Sequence, residues 1–319
     1  MNVKSRGKVI KSTGSWYQVQ LEDTHEVIDA RIRGKFRLDG KRLTNPVGVG
    51  DWVEMEMDKK ENTGIITKIE TRKNYVVRQS PRQKHHLHLL ASNIDQALLI
   101  VTVVEPNLKQ GFIDRFLLLT EPRDIPVIIC FNKSDLYSED DLLIAEYLCG
   151  LYEKIGYGTI VVSAIDGSGI EELRSLLNHK TTLVSGQSGV GKSTLLNAIE
   201  PSLKIRTGDI SEYTGKGQHT TTFAELFQLD TDTAIIDTPG IKTLSYNNME
   251  VLDVAHNFRE FFVASNNCRF HNCTHRNEPG CAIKEAIEEG SISELRYQNY
   301  LTILDEIEKQ NHWERHRDI

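Results

Sequence analysis

Residues 186–193 read Gly186-Gln187-Ser188-Gly189-Val190-Gly191-Lys192-Ser193. This octapeptide matches the phosphate-loop pattern G-x-x-x-x-G-K-S. It also has the required context, with an apolar run at 181–184 before it and a helical pattern at 194–199 after it. The glycines let backbone N–H groups surround phosphate oxygens beside the positively polarised start of a helix. The alternative is an ordinary glycine-rich turn between a strand and a helix.

The loop predicts a nucleotide site on an α/β domain. Lys192 is expected to reach the β- and γ-phosphates, Ser193 to ligate Mg²⁺, and Thr194 to complete the nucleotide-binding loop. Around the loop, short apolar runs alternate with helical stretches, which is typical of βαβ units and a mainly parallel sheet. Those runs lie at 97–104, 127–131, 159–162, 181–184 and 234–236.

A tetrad at the end of the run 127–131 selects the base. It reads Asn132-Lys133-Ser134-Asp135 and resembles the guanine-reading N-K-x-D motif of regulatory GTPases. A carboxylate such as Asp135 can accept both the ring N–H and the exocyclic amino group of guanine, whereas adenine lacks that donor pair and would leave a buried acid unpaired. Ser163-Ala164 resembles the short motif that supports the guanine edge. The bound nucleotide is therefore predicted to be GTP or GDP.

Two further motifs concern the metal ion and the γ-phosphate. Asp237-Thr238-Pro239-Gly240 resembles D-x-x-G, in which Asp237 acts on Mg²⁺ and the Gly240 N–H meets the γ-phosphate. The run Thr220-Thr221-Thr222 falls where the first switch is expected. One of these threonines is expected to ligate Mg²⁺, and we assign Thr221 to that ion and to catalysis.

The order of these motifs is permuted. Most GTPases run from the phosphate loop through the switch threonine and D-x-x-G to N-K-x-D and S-A, whereas here the last two motifs come first. A circular permutation is tolerable when the original termini lie close together. It makes the segment after D-x-x-G lead directly into the C-terminal helices, so order imposed by the γ-phosphate could pass to them.

The segment before the GTPase-like motifs has the pattern of a small β-barrel. Five short strands are predicted within residues 1–70, which suits an OB-fold. Residues 1–90 hold 18 Lys/Arg and 11 Asp/Glu in a chain of net charge −7, so an anionic partner such as RNA is one interpretation and a chance charge split the other. A basic loop is predicted at Lys35, Arg37, Lys41 and Arg42. Residues 71–93 are predicted to form a linker.

A cysteine- and histidine-rich segment follows the last predicted strand. Cys268, Cys273, His275 and Cys281 have the spacing C-x4-C-x-H-x5-C, which favours a closed structural zinc site. His271 is a competing ligand, and a disulfide or buried free thiols are the alternatives. The segments 249–264 and 291–309 on either side are predicted to be helices.

Composition limits the remaining possibilities. The chain of 319 residues is 39% hydrophobic and 26% charged, as in an ordinary globular protein. Its longest strongly apolar run, at 97–104, is much shorter than the roughly 20 residues that span a bilayer, and no signal peptide is predicted at its start. We expect a soluble, cytoplasmic monomer that binds neither DNA nor a membrane.

Taken together, these motifs resemble the ribosome small-subunit-dependent GTPases, the RsgA family. Characteristic stretches are Gly217-Gln218-His219-Thr220-Thr221 and the segment from Cys268 to Cys281. The resemblance implies a multidomain α/β protein with an RNA-binding OB-fold β-barrel at 1–72, a circularly permuted P-loop GTPase domain at 73–246 and a helical zinc-binding domain at 247–319. It also implies that the protein binds the small ribosomal subunit and its rRNA late in assembly. GTP hydrolysis, slow alone and stimulated by the subunit, would then trigger release.

The resemblance also assigns a catalytic histidine. Ile241 follows D-x-x-G, where many GTPases carry a water-orienting glutamine. His219 matches the family's proposed substitute for positioning the attacking water, and the alternative is an exposed switch histidine without a catalytic part. At the level of the whole protein, the alternatives are a P-loop metabolic kinase and a non-catalytic, GTP-dependent RNA-binding module.

Overall fold

Five strands at the N-terminus close into a barrel in the computed structural model, which describes residues 3–32, 45–58, 62–79, 87–109, 111–205, 224–238 and 249–315. The strands are β1 (Val3–Ser12), β2 (Tyr17–Leu21), β3 (Val27–Ile32), β4 (Trp52–Asp58) and β5 (Thr63–Ile69). They pair in the order β1-β2-β3-β5-β4, and β4 returns to β1, so the barrel closes. Alternate residues such as Val19, Ala30 and Met55 are buried in its interior, which is the period of two expected for strands. The predicted barrel is confirmed.

The segment 71–93 is not the predicted linker. It contains the antiparallel strands β6 (Tyr75–Gln79) and β7 (Leu87–Ser92). Val76, Leu90 and Ala91 are buried in the core of the following domain, and this burial outweighs the polar composition that suggested a linker.

The GTPase-like motifs lie on a sheet with helices on both faces. Its parallel strands have the order β10-β9-β8-β11-β13, and β12 is antiparallel at the side of β13. The strands are β8 (Gln96–Val101), β9 (Val127–Phe131), β10 (Gly158–Val161), β11 (Thr181–Gly186), β12 (Glu225–Gln228) and β13 (Ala234–Asp237). The helices are α1 (Gly111–Thr120), α2 (Glu139–Lys154), α3 (Ile170–Leu177) and α4 (Lys192–Ile199). The predicted βαβ architecture is confirmed.

The two faces of this sheet carry separate cores. Helices α1 and α2 pack on one face through residues such as Phe116 and Leu148. Helices α3 and α4 pack on the other through residues such as Leu173 and Leu195. Because both faces are covered, strand β8 is buried along its whole length, and its residues are apolar from Ala97 to Val101.

Between residues 249 and 315, the structure contains four helices after the sheet domain. They are α5 (Val251–His256), α6 (Arg259–Ser265), α7 (Ala282–Glu288) and α8 (Glu294–Arg315). The prediction of a single helix at 249–264 is wrong. The chain turns at Asn257 and Phe258, between α5 and α6, and the Phe258 ring is buried there. Helix α7 was not predicted. Within the described ranges, no helix combines the length and the apolar content needed to span a bilayer.

A buried ion network fastens these last helices to the sheet domain. Arg296 of α8 is 1% exposed; it donates to Asp114 of α1 and, at 2.5 and 3.0 Å, to both carboxylate oxygens of Glu260 in α6. Asp114 also accepts hydrogen bonds from the Tyr152 hydroxyl at 2.9 Å and the Asn299 amide at 2.6 Å. The C-terminal helices are therefore held against α1 and α2.

Replacing Arg296 by methionine should cost about 3–5 kcal/mol of folding free energy, because Asp114 and Glu260 would remain buried without their cation. Urea denaturation of the full chain measures the loss. The matched control is Arg115→Met, which removes the more exposed pair with Glu306 at the same interface and should cost about 1 kcal/mol or less. Equal effects of the two variants would contradict the account.

Candidate nucleotide and metal sites

The phosphate loop connects the buried end of β11 to the first turn of α4. Gly189 and Gly191 have φ angles of 87° and 86°, a left-handed conformation that favours glycine. A Cβ atom on Gly191 would lie 2.6 Å from Asn132 Nδ2, and one on Gly186 would lie 2.4 Å from the Ile100 carbonyl oxygen. The loop therefore requires glycine for backbone conformation and for close packing against the neighbouring strands.

The side chain of Asn132 joins three of the predicted motifs. Its Nδ2 donates to the Val190 carbonyl oxygen of the phosphate loop at 2.9 Å. Its Oδ1 accepts from the Ala164 N–H at 3.3 Å. Asn132 is 1% exposed, so these bonds are made in a buried position where unpaired amide atoms would be costly. The N-K-x-D tetrad, the S-A pair and the phosphate loop consequently form one site at the carboxyl ends of the parallel strands.

Asp135 is oriented for a ligand by its neighbour Ser163. The Ser163 hydroxyl donates to Asp135 Oδ1 at 2.6 Å and accepts from the backbone N–H groups of Ile165 and Asp166, each at 3.2 Å. The residue Asp135 is exposed, so its carboxylate can receive further donors from a bound molecule. Lys133 Nζ donates to the Glu105 carbonyl oxygen at 2.6 Å, which ties the tetrad to the loop after β8.

Lys192 of the phosphate loop and Asp237 at the end of β13 influence each other's ionisation. Lys192 Nζ donates to the carbonyl oxygens of Gly186 and Gln187 at 3.1 and 3.3 Å. Burial lowers the pKa of Lys192, and the charge of Asp237 opposes that effect. Burial raises the pKa of Asp237 to about 6, against the attraction of Lys192 and with a contribution from Glu225.

One oxygen of Asp237 is suited to binding a cation. Its Oδ1 atom is buried and has no hydrogen-bond partner in the described part of the chain. A buried carboxylate oxygen without a donor is costly, and oxygen ligands of this kind are what Mg²⁺ prefers. The next residue, Thr238, is held by a hydrogen bond from its hydroxyl to the Val184 carbonyl oxygen at 3.1 Å. The carboxylate of Asp237 therefore suits Mg²⁺ as a ligand.

The raised pKa of Asp237 predicts a pH dependence of stability in Mg²⁺-free, nucleotide-free buffer. Between about pH 4, the pKa of an unfolded aspartate, and pH 6, the folded chain holds more protons than the unfolded chain. The free energy of unfolding should therefore fall as the pH rises through this window, by about 2–3 kcal/mol from this group. We expect Asp237→Asn to be more stable than wild type at pH 7.5 and to lose that advantage towards pH 4. A difference between the two proteins that does not change with pH would contradict the assignment.

The four predicted zinc ligands converge. The ligand atoms of Cys268, Cys273, His275 and Cys281 all lie within 4.8 Å of one another. His275 Nδ1 is 3.6 Å from the Cys268 sulfur and 3.4 Å from the Cys281 sulfur. Tetrahedral zinc, with Zn–S of about 2.3 Å and Zn–N of about 2.0 Å, requires sulfur–nitrogen distances of roughly 3.5 Å. The donor set and its spacing therefore fit a closed zinc site, and the competing ligand His271 lies outside this group and is exposed.

The loop that carries these ligands is held by hydrogen bonds to Glu278. Its carboxylate accepts from the N–H and hydroxyl of Thr274, both at 2.7 Å, and from the N–H groups of Arg276 and Asn277 at 2.8 and 3.0 Å. Burial opposes ionisation of Glu278, but these bonds outweigh it and lower its pKa to about 2. The Tyr297 hydroxyl donates to the His275 carbonyl oxygen at 2.7 Å. The ligand loop is thus ordered by contacts beyond the four ligands.

Several predicted residues lie outside the described part of the chain. They are His219, Thr220, Thr221, Thr222, Gly240 and Ile241, together with the basic loop residues Lys35, Arg37, Lys41 and Arg42. The structure therefore brings together the phosphate loop, the base-reading motifs and Asp237, and it leaves the switch segments as predictions.

Two residues near the nucleotide site were not found from the sequence. The Tyr137 hydroxyl donates to the Asn132 carbonyl oxygen at 2.8 Å and accepts from the Val103 N–H at 3.1 Å. These bonds fix the backbone of the tetrad against the loop after β8. Glu225 pairs in register with Asp237 across β12 and β13. Neither position belongs to a motif, because each role depends on strand register or on a contact between distant segments.

Comparisons with known families agree with this architecture. The model of the RsgA GTPase family matches residues 69–247, and that of the RsgA N-terminal domain matches residues 6–66. These two matches cover the barrel and the sheet domain that carries the nucleotide motifs.

Curated relatives are similar along nearly the whole chain. The protein named small ribosomal subunit biogenesis GTPase RsgA 2 from Bacteroides thetaiotaomicron is 50% identical over 304 residues, which cover 95% of this chain and 97% of the relative. The protein named small ribosomal subunit biogenesis GTPase RsgA from Bacteroides fragilis is 49% identical, with the same coverage.

Two solved structures share the fold. YjeQ from Thermotoga maritima superposes with a TM-score of 0.77 at 37% identity, covering 95% of this chain and 98% of that one. YloQ, described as a circularly permuted GTPase, has a TM-score of 0.73 at 31% identity, covering 97% and 96% of the two chains. The permuted order of motifs predicted from the sequence is therefore shared with a known GTPase structure.

Proposed function

Because this chain belongs to the RsgA family of GTPases, we propose that it binds the small ribosomal subunit during late assembly and hydrolyses GTP to GDP and phosphate there. Hydrolysis then releases the protein from the subunit. The observation that carries this proposal is the similarity over 95% of the chain to relatives named as biogenesis GTPases of that subunit. The family favours a GTP hydrolase over a metabolic kinase or a passive RNA-binding module.

In the proposed nucleotide complex, guanine is read by Asp135, with Asn132, Lys133, Ser163 and Ala164 shaping the pocket. The phosphates lie against the backbone of residues 186–194, and the Lys192 ammonium turns from the loop carbonyls towards the β- and γ-phosphates. This exchange of partners is energetically favourable, because the ammonium gives up hydrogen bonds to two neutral carbonyl oxygens and gains stronger ones to charged phosphate oxygens.

The metal ligands in this proposal are Ser193, Thr221 and Asp237, and the Gly240 N–H contacts the γ-phosphate. Mg²⁺, when bound, neutralises charge on the β- and γ-phosphate oxygens. Asp237 is ionised in that state, since a nearby cation favours the charged form of its carboxyl group. The Oδ1 atom of Asp237, which has no hydrogen-bond partner among the described residues, supports this assignment.

We also propose that Cys268, Cys273, His275 and Cys281 hold one structural Zn²⁺ ion. His275 is 1% exposed, and burial lowers its pKa, which favours the neutral imidazole that binds zinc. A closed site with four protein ligands has no open position for substrate, so its task is to stabilise the fold.

The proposed partner of the barrel is rRNA, through electrostatic contacts with phosphates rather than base reading. The excess of 18 basic over 11 acidic residues within residues 1–90 supports it. We further propose that the domains span residues 1–72, 73–246 and 247–319. The protein is then a cytoplasmic monomer whose partners include neither DNA nor a membrane.

His219 is the proposed residue that positions the attacking water, with Lys192 and Thr221 as the other catalytic residues. His219→Ala should lower subunit-stimulated hydrolysis by about 10²-fold or more, the usual contribution of a positioned proton-transfer group, while GTP binding stays unchanged. Single-turnover hydrolysis and equilibrium titration with a fluorescent GTP analogue separate the two effects. An unchanged stimulated rate would remove His219 from the mechanism.

Co-sedimentation with purified ribosomal subunits tests the binding step. In the presence of a non-hydrolysable GTP analogue, the chain should sediment with small subunits and not with large ones. With GDP the bound fraction should fall. Equal binding to both subunits, or binding that is the same with either nucleotide, would contradict the proposal.

A further inference from the structure

A row of charged residues crosses from the barrel to the predicted metal site. Lys11 of β1 is the register partner of Glu225 in β12, and Glu225 is the register partner of Asp237 in β13. Directly opposed residues on neighbouring antiparallel strands project from the same face, with Cβ atoms about 5 Å apart. Lys11, Glu225 and Asp237 therefore follow one another across three strands that belong to one continuous sheet.

The first two members of the row form an ion pair. Lys11 Nζ lies 3.0 Å from Glu225 Oε1, and about one third of each side chain is exposed. This pair accompanies the direct strand pairing of β1 with β12, the strand that begins three residues after Thr222. The barrel thus supplies a positive charge to the strand next to the predicted metal site.

Glu225 also acts on the third member. As the register partner of Asp237 on the neighbouring strand, Glu225 places a second negative charge on the same face of the sheet as the Asp237 carboxylate. Additional negative potential at Asp237 attracts a divalent cation, and a neighbouring ammonium weakens that attraction.

We propose that Lys11 and Glu225 set the affinity of the nucleotide site for Mg²⁺: Glu225 strengthens the attraction at Asp237, and Lys11 of the barrel reduces it. An anion bound to the barrel beside the partly exposed Lys11 would compete with Glu225 for the Lys11 ammonium. The charge of Glu225 would then be less neutralised, and Mg²⁺ binding would be stronger. This inference rests on the proposed role of Asp237 towards Mg²⁺. Lys11 and Glu225 are positioning residues that act through Asp237 and do not contact the ion.

The test measures how GDP dissociation from the full chain depends on the Mg²⁺ concentration, using a fluorescent GDP analogue in stopped flow. Glu225→Gln should raise the half-saturating Mg²⁺ concentration by about threefold to tenfold, and Lys11→Gln should lower it by about twofold to fivefold. These effects are modest because both charges are partly exposed, so that water and salt screen their interaction with the ion. Lys11→Arg, which keeps the charge, should behave as wild type. Unchanged values for Glu225→Gln and Lys11→Gln would overturn the inference.

A charge swap separates electrostatics from mere strand pairing. In the double variant Lys11→Glu with Glu225→Lys, an ion pair again joins β1 to β12, but the ammonium is now the neighbour of Asp237. We expect a half-saturating Mg²⁺ concentration above that of Glu225→Gln. Wild-type behaviour of the swapped protein would show that the pair is structural only and would overturn the inference. Thermal unfolding of the double variant checks that the fold is kept.

Two control variants distinguish a failure of this inference from a failure of the proposed role of Asp237 as a Mg²⁺ ligand. Glu54→Gln removes an exposed cross-strand pair with Lys68 on the outer surface of the barrel and should leave the Mg²⁺ dependence unchanged. Asp237→Asn should raise the half-saturating concentration more than any variant of Lys11 or Glu225. If Asp237→Asn has no effect, the proposed metal role of Asp237 is wrong and the inference fails with it. If only the Lys11 and Glu225 variants have no effect, the inference alone fails.

Discussion

Replacing Asp135 by asparagine should lower the affinity for GTP by about 10²- to 10⁴-fold, since two hydrogen bonds to a charged acceptor are each worth roughly 1.5–3 kcal/mol. The same change should create binding to xanthosine triphosphate. Guanine offers a ring N–H and an amino group to the carboxylate, whereas xanthine has a carbonyl oxygen in place of the amino group. An asparagine amide can donate to that carbonyl oxygen and still accept from the ring N–H. The Ser163 hydroxyl, which donates to Asp135 at 2.6 Å, can also donate to the amide oxygen of the asparagine.

Titration with fluorescent analogues of both triphosphates measures the change of preference. Asp140→Asn is the matched control, because it makes the same chemical change at an exposed acid in the first turn of α2. It should leave both affinities unchanged. If Asp135→Asn kept wild-type affinity for GTP, the tetrad at residues 132–135 would not be the base-reading motif.

Loss of the zinc ligands should unfold the C-terminal helices. A structural zinc site supplies about 10 kcal/mol or more of folding free energy, and here the ligand loop has few apolar residues of its own. Cys273 and Cys281 belong to the same buried core as Phe261, Tyr300 and Ile303, so the ion and the core are expected to be lost together. Cys281→Ser should therefore make residues 249–315 sensitive to protease while the barrel and the nucleotide domain stay folded.

Limited proteolysis, far-UV circular dichroism and zinc content by mass spectrometry measure this result. The wild-type chain should contain one zinc ion. Cys149→Ser is the matched control, because Cys149 lies on α2 and outside the cluster. A wild-type chain without zinc, combined with normal protease resistance of Cys281→Ser, would contradict the zinc assignment.

Motifs that are local in sequence could be predicted, and their convergence could be inferred from the fold class. The phosphate loop, the tetrad at 132–135 and Asp237 each follow an apolar run. Because parallel strands end at the same edge of a sheet, three separate segments meet there. The zinc ligands were predictable for a similar reason, since their spacing lies within one loop.

Features that depend on contacts between distant segments could not be predicted. Residues 71–93 contain enough polar side chains to suggest a linker, yet Leu90 and Ala91 are buried by a core built from later strands. Arg296 gives no signal in the sequence, because its partners Asp114 and Glu260 lie 182 and 36 residues away. Glu225 matters only through its register with two other strands.

The most direct test of the central claim is the rate of GTP hydrolysis by the purified chain alone, with small ribosomal subunits and with large ribosomal subunits. The account predicts slow hydrolysis alone, strong stimulation by the small subunit and none by the large one. Equal rates in all three conditions would contradict it, because the GTPase would then have no link to the subunit that its relatives are named for.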